Sequence, residues 1–309
     1  MSLNKLTVWM LAVTSIAFSS CIDDSFNGGK NEYATLNFSL AANKSISVGT
    51  MTRADGDTET IAMADALGVE TFTQPEAGNF TIKITDAEGN TKYDGLLSAY
   101  SSETTKLPIS NDKYKVIATL AGAVGLYGEA ETETGAPAYY GETEFSITSD
   151  AIINVEIPVA LSNSILKFEY TSSSETEDET DAETNLFQDY FSDCDITVKD
   201  AAQNEVAYSD FEERGAFLEA GKQTIAYTLT VAQAQSDASK TITGSVDVTL
   251  KANTCHIFKF NVTNVGGVNK LEIVIDDTIA ETHDIAVGDI DINDDNYIQS
   301  DENSNGENA

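Results

Sequence analysis

Positive charge is scarce in this chain. Lysine and arginine number 17 against 51 aspartates and glutamates, a formal charge of −34 over 309 residues. Nucleic acid and anionic membrane surfaces are bound through basic patches, and a surface this acidic repels both. It gives solubility and suits a basic partner. Arginine occurs only at Arg53 and Arg214, histidine only at His256 and His283, and tryptophan only at Trp9. A nucleophilic triad needs a histidine within reach of a serine or cysteine, and neither histidine accompanies a motif such as G-x-S-x-G. Clustered Cys/His ligands and a Gly-rich phosphate loop are also missing. With 51 acids, no single carboxylate pair points to glycoside hydrolysis. These absences predict a protein that is not an enzyme and needs no cofactor.

Cysteine is nearly as rare, with three residues. One of them, Cys21, follows the leader MSLNKLTVWMLAVTSIAFSS. Lys5 supplies a short positive region, and Leu6 to Phe18 is apolar but too short to span a bilayer. No other segment is long and apolar enough to cross one. Ser19 and Ser20 then lead into Cys21, an arrangement that resembles a bacterial lipobox, although Phe18 and Ser20 depart from its commonest form. The expectation is a lipoprotein signal over 1–20 with acylation of Cys21. Each buried acyl CH₂ contributes about 0.8 kcal/mol, so a multiply acylated cysteine anchors essentially permanently. Asp23 and Asp24 resemble the export signal that sends Bacteroidota lipoproteins to the outer face of the outer membrane. The other cysteines, Cys194 and Cys255, fall in one half of the chain. Cys194 is in phase with the inward Ile196 and Val198, whereas Cys255 is out of phase with Phe258 and Phe260, which predicts two free thiols.

What the sequence has in abundance is period two, the mark of half-buried strands. Leu36, Phe38 and Leu40 alternate with polar residues, as do Phe80, Ile82 and Ile84, and Tyr114 to Leu120. Ile153, Val155, Ile157 and Val159 do the same, with Pro158 predicting a free edge. A second set follows: Leu166–Tyr170, Ile196–Val198, Ile225–Val231, Val246–Leu250, His256–Val262 and Leu271–Ile275. Only Asn185–Phe191 has helical spacing, with Leu186, Phe187, Tyr190 and Phe191 on one face. Residues 41–79 lack strand periodicity and read as a long loop. Residues 172–184 form an acidic loop. The fold expected is all-β, two tandem β-sandwiches. A linker spans 21–31, the domains cover 32–162 and 163–293, and an acidic tail runs over 294–309.

Four stretches, PAYYGETEFSI (137–147), VEIPVALSNSILKFEY (155–170), DYFSDCDITV (189–198) and HIFKFNVT (256–263), together resemble a family of Bacteroidales surface lipoproteins of unknown function. That family is similar in layout to the fimbrillins, lipoprotein subunits of adhesive pili with two tandem transthyretin-like sandwiches. The resemblance implies adhesion or surface display. It also implies that an Arg-specific protease removes a first strand and that a strand of the next subunit fills the groove, by addition to a sheet edge. Arg53, in MTRADGD after the first strand, fits that layout, with the cut at Arg53–Ala54. The partners implied are the outer membrane, other pilus subunits or a second copy, and a host receptor.

The rival reading is a glycan-binding accessory lipoprotein. Tyr139 and Tyr140 are its candidate sugar contacts, because neighbours on a strand face opposite ways; packing of both, one in each layer, is the stronger expectation. Asp291, Asn293, Asp295 and Glu302 stand at positions 1, 3, 5 and 12 of an EF-hand-like calcium loop. Asn296 stands where that loop needs glycine, and the flanks are not helical, so a solvated tail is favoured over calcium. Thr278, in Asp-Thr-Ile, resembles a Bacteroides O-glycosylation acceptor. His256 shares the parity of Phe258 and Phe260 and is expected to be a satisfied core residue.

Overall fold

The computed structural model describes residues 33–49, 59–128, 134–173, 187–231, 241–265, 268–276 and 278–285. The first half contains β1 (Thr35–Ala42), β2 (Ser45–Val48), β3 (Thr60–Ala62), helix α1 (Met63–Leu67), β4 (Thr81–Thr85), β5 (Thr91–Leu96), β6 (Ser110–Leu120), β7 (Gly125–Leu126), β8 (Tyr139–Ile147) and β9 (Ile152–Leu161). The second half contains β10 (Ser164–Ser173), helix α2 (Phe187–Tyr190), β11 (Phe191–Asp200), β12 (Glu205–Tyr208), β13 (Ala216–Leu218), β14 (Gly221–Val231), β15 (Thr241–Leu250), β16 (Thr254–Val265), β17 (Val268–Ile275) and β18 (Thr278–Ile285). The protein is all-β, as its alternating sequence predicts.

Three sheets carry these strands. The first has the order β1-β9-β8-β6-β4-β5, the second β18-β17-β16-β10-β13-β7 with β2 and β3 added at β16, and the third β12-β11-β14-β15. The first sheet curls. Phe38 on one edge strand meets Tyr100, which lies beyond the other edge strand, with ring centroids 5.0 Å apart. β8 and β9 are ladder-paired only over Tyr139–Gly141 and Val159–Leu161, so they splay towards their connecting turn. Gly141 permits the close approach at this corner, because a Cβ there would collide with the Pro158 carbonyl. Leu36, Ile82, Ile84, Val116, Ile147, Val155 and Ile157 fill the space enclosed.

The second and third sheets face each other across another core. Phe168 and Tyr170 from β10 and Phe258 and Phe260 from β16 meet Ile196 and Val198 from β11 and Ile225, Tyr227 and Leu229 from β14. Aromatic pairs cross the gap, Phe168–Tyr208 at 4.6 Å and Tyr227–Phe260 at 5.4 Å, an edge-to-face arrangement that adds to burial.

The two cores share a layer. On β10, Ile165 points into the first core and Leu166 into the second; on β13, Phe217 joins the first while Ala216 and Leu218 join the second. On β16, Cys255 belongs to the first core and Phe258 to the second. The passage between halves is a tight corner rather than a linker. Asn163 Nδ2 donates to the Ala136 carbonyl at 3.2 Å, and buried Ser164 donates to the Lys251 carbonyl at 2.8 Å.

Several expectations are corrected. Residues 41–79 are not one long loop: β2, β3 and α1 lie within them. Ile46 and Val48 alternate with serines over only four residues, too short a run to read as a strand, and Met63, Ala66 and Leu67 form one buried face of a five-residue helix. The free edge expected at Pro158 is present on one side, since the ladder to β8 covers only Val159–Leu161, while β1 covers the other side of β9. The helical spacing near residue 187 does correspond to α2, which buries Phe187 beside Phe191.

Phe217 is fully buried and touches Tyr127 of the first half at 5.8 Å from a strand that also lines the second core. Phe217→Ala is expected to cost about 3–5 kcal/mol. Denaturant unfolding followed by fluorescence and by circular dichroism checks this. The two probes are expected to report one coincident transition, since both halves share the layer.

Candidate functional site

The N-terminal segment is held by two separate strand pairings. β1 runs parallel to β9 over eight residue pairs, from Thr35↔Ile152 to Ala42↔Val159. β1 ends the sheet order, so among the described residues its other side is an edge. Ala34, Leu36 and Leu40 are buried, and Phe38 packs against them. After Asn43 and Lys44 the chain enters β2, which adds in parallel to the start of β16 through Ser47↔Thr254 and Val48↔Cys255. It also pairs with β3, and Ile46 has no exposed surface. Each such buried aliphatic side chain contributes about 1.5–3 kcal/mol, so the segment is held firmly but by few groups.

Beyond β2 the chain meets a buried polar cluster. Gly49 N–H donates to the Cys255 carbonyl at 2.8 Å. His256 is 3% exposed, as its parity predicts. Its Nδ1 lies 2.6 Å from Asp276 Oδ2, and its Nε2 accepts the Lys251 N–H at 2.8 Å. Accepting at Nε2 places the proton on Nδ1, which then donates to the carboxylate. Asp276 Oδ1 also accepts the Ile257 N–H at 3.1 Å. A Cβ on Gly49 would lie 2.6 Å from Asp276 Oδ2, so only glycine passes there without displacing that carboxylate. No nucleophile completes the pair into a triad among the described residues; it fastens the start of β16 to the end of β17 beside the departing N-terminal segment.

Both described cysteines are free and buried. Burial pushes the Cys194 thiol up to about 12, and its bond to the Tyr170 hydroxyl acts in the opposite direction. Burial also pushes Cys255 up to about 12. The even parity of Cys194 leads into the second core and the odd parity of Cys255 into the first.

Of the two candidate sugar contacts, Tyr139 is 2% exposed in the first core and Tyr140 is 45% exposed. Tyr139 is therefore corrected out of any ligand contact: it is an inward position of β8, and burial pushes its hydroxyl up to about 12. The expectation that both tyrosines pack is corrected as well, since Tyr140 faces solvent and bonds to Glu142, which also pairs with Lys115 at 2.8 Å. Thr278 opens β18, and its side chain lies outside the described ones. Cys21, Asp23, Asp24, Arg53, Ala54, Asp291, Asn293, Asp295 and Glu302 lie outside the described residues. Among the described residues, no group of three or more His, Cys, Asp or Glu is placed to hold a metal.

Fold and site together define an all-β protein of two cores whose first strand, β1, lies at a sheet edge and whose second, β2, lies between β16 and β3. Residues 32–292 match a family described as Domain of unknown function (DUF4493), and the chain belongs to it. No curated protein matches the chain. Among solved structures, a candidate cell adhesion protein from Bacteroides ovatus is similar over 84% of this chain and 100% of its own, at 11% identity and TM-score 0.39. A fimbrial assembly protein from Parabacteroides distasonis is similar over 88% of this chain and 100% of its own, at 8% identity and TM-score 0.39. A candidate polysaccharide-binding protein from Bacteroides thetaiotaomicron is similar over 83% and 99%, at 9% identity and TM-score 0.32.

A thiol whose value is raised in the folded state favours folding while it is protonated. The contribution is whole below its ordinary value of 9.0 and is lost as pH rises towards about 12. Stability by urea denaturation is therefore expected to fall steadily over that window, and less so in a Cys194→Ala/Cys255→Ala variant compared with its own value at neutral pH. At pH 8 a thiol reagent is expected to label Cys194 and Cys255 only when urea is present.

Proposed function

We propose that this chain is a non-catalytic surface lipoprotein with a structural and adhesive role, anchored to the outer membrane through Cys21 and directed outward by Asp23 and Asp24. In this reading it assembles by strand exchange after cleavage at Arg53–Ala54. The observation that carries the reading is β1, an edge strand paired with β9 along its full length and inserting Leu36 and Leu40 into the first core.

The position of Arg53 fits. It lies between β2, ending at Val48, and β3, beginning at Thr60. A cut there leaves β3 on the body of the protein and makes residues 21–53 a separate peptide carrying the lipid, β1 and β2. That peptide stays bound by side-chain burial and ladder hydrogen bonds until another strand competes for the same edge. A competing strand gains the backbone bonds of β9 and places apolar side chains at alternate positions where Leu36, Phe38 and Leu40 sat. The exchange is near balance because similar contacts are lost and made, so subunit concentration drives it. Anchoring is then temporary for each subunit that joins a polymer.

The test is treatment of the purified precursor with an Arg-specific protease. The expected outcome is cleavage after Arg53, loss of the N-terminal peptide and a ladder of oligomers on a native gel, with Arg53→Ala remaining monomeric. A cleaved protein that stays monomeric and keeps its N-terminal peptide bound at high concentration contradicts the reading. Leu36→Asp places an unpaired charge in the first core; it is expected to release β1 without cleavage and to raise oligomerisation of the uncut chain.

A further inference from the structure

The outer face of the four-stranded sheet carries a cavity of about 230 Å³. Lys199, Lys222, Thr224, Asp247 and Thr249 line it, and all five are exposed, alternating with the buried Asp200 and Gln223. The cavity therefore opens on the solvent side, away from the second core. Strand register puts these groups in two rows. Lys199 on β11 pairs with Thr224 on β14, which pairs with Asp247 on β15, and Lys222 pairs with Thr249 in the next row. Gln203, held at a positive φ of 68° in the β11–β12 turn, closes one end.

The geometry points to a binding site for a single neutral pyranose, a hexose unit of a glycan. The volume is below that of drug-sized sites and suits one ring. Charge decides the class. Lys199 is paired with Glu205 and the buried Asp200 carboxylate is taken up by Asn204, which leaves Lys222 and Asp247, so a cationic ligand meets Lys222 and an anionic ligand meets Asp247 beside any opposite charge. A neutral polyol meets neither penalty. Glu205 neutralises Lys199 at 3.0 Å. Thr224 donates to Asp247 Oδ1 at 2.8 Å, which leaves Oδ2 as an acceptor and Lys222 as a donor at the same floor. Two neighbouring sugar hydroxyls match that pair: one donates to the carboxylate, and the next accepts from the ammonium. Bonds of this kind, with one charged partner, are about twice as strong as neutral ones. No aromatic ring lines the cavity, so affinity rests on polar contacts and is set at about the millimolar range. None of these residues belongs to the N-terminal segment or to the strands it pairs with, so the inference stands apart from strand exchange.

The test is a nuclear magnetic resonance titration of the isotope-labelled protein with methyl glucoside, methyl galactoside and methyl mannoside, with glucuronate as a separate arm. Saturable shifts of the Lys222, Thr224, Asp247 and Thr249 amides with at least one neutral glycoside are expected, weaker by about tenfold or more in Lys222→Ala and Asp247→Asn. Both changes lie on exposed positions, and unchanged amide positions elsewhere show that the variants are folded. The proposal is overturned if none of the neutral glycosides shifts these amides, if glucuronate binds more tightly than they do, or if the shifts persist in both variants.

Discussion

The structure depends on one shared layer. Where β10, β13 and β16 lie side by side, successive residues face opposite cores, Ile165 and Leu166, Phe217 and Leu218, and on β16 Cys255 and Phe258 do so three positions apart. Over Ser164–Leu166, Ala216–Leu218 and Thr254–His256 these strands are buried on both faces, whereas further along Glu169 and Lys259 pair on a partly exposed face. β10 and β16 are parallel over nine residue pairs, and the pairing starts at Ile165↔Cys255, where both faces are buried, the usual setting for parallel strands. Burial on two faces removes more apolar surface per residue than a one-sided sheet, and it leaves little room to separate the halves. Asn163 and Ser164 complete the join by satisfying backbone groups at the corner. The two sandwiches are thus fused through a common wall rather than strung on a linker.

The N-terminal segment matters because it touches both sides of that arrangement. β1 closes the curled first sheet, and β2 completes the edge of β16 that β17 leaves uncovered: β17 pairs from Phe258 onwards, β2 at Thr254 and Cys255. The chains of β2 and β17 meet end to end, and the His256–Asp276 pair occupies the junction, with Gly49 passing over the carboxylate. β1 is held at a sheet edge, on the ladder of β9, whereas β2 is held between β16 and β3. In the proposed exchange, the side of β9 that β1 now occupies is the ladder a strand of another subunit would copy.

Much of this was legible from period two alone. The cores of β1, β4, β6, β9, β10, β14 and β16 follow the alternation, and His256 was placed inward by its phase with Phe258. Short elements escaped. Ile46 and Val48 have too few neighbours to establish a period, and β7, β12 and β13 are two to four residues long. The shared layer escaped for a different reason. A residue out of phase with its core-facing neighbours, such as Cys255, reads as outward, because periodicity in one strand cannot reveal a second core on the other side. The same limit applied to Tyr139 and Tyr140: their opposite facing was readable, but which one entered the core depended on the curl of the first sheet. The cavity on the third sheet had no sequence signal, since it is assembled from exposed lysines and threonines of three strands in register.

The most direct measurement of the central claim is hydrogen–deuterium exchange of the β9 amides, Ile152 to Val159, followed through cleavage and assembly. The account predicts slow exchange in the intact chain, fast exchange in the cleaved subunit once its N-terminal peptide has been removed, and a return to slow exchange in the oligomer. Protection that is unchanged when residues 21–53 are removed, or that fails to return on assembly, would contradict it.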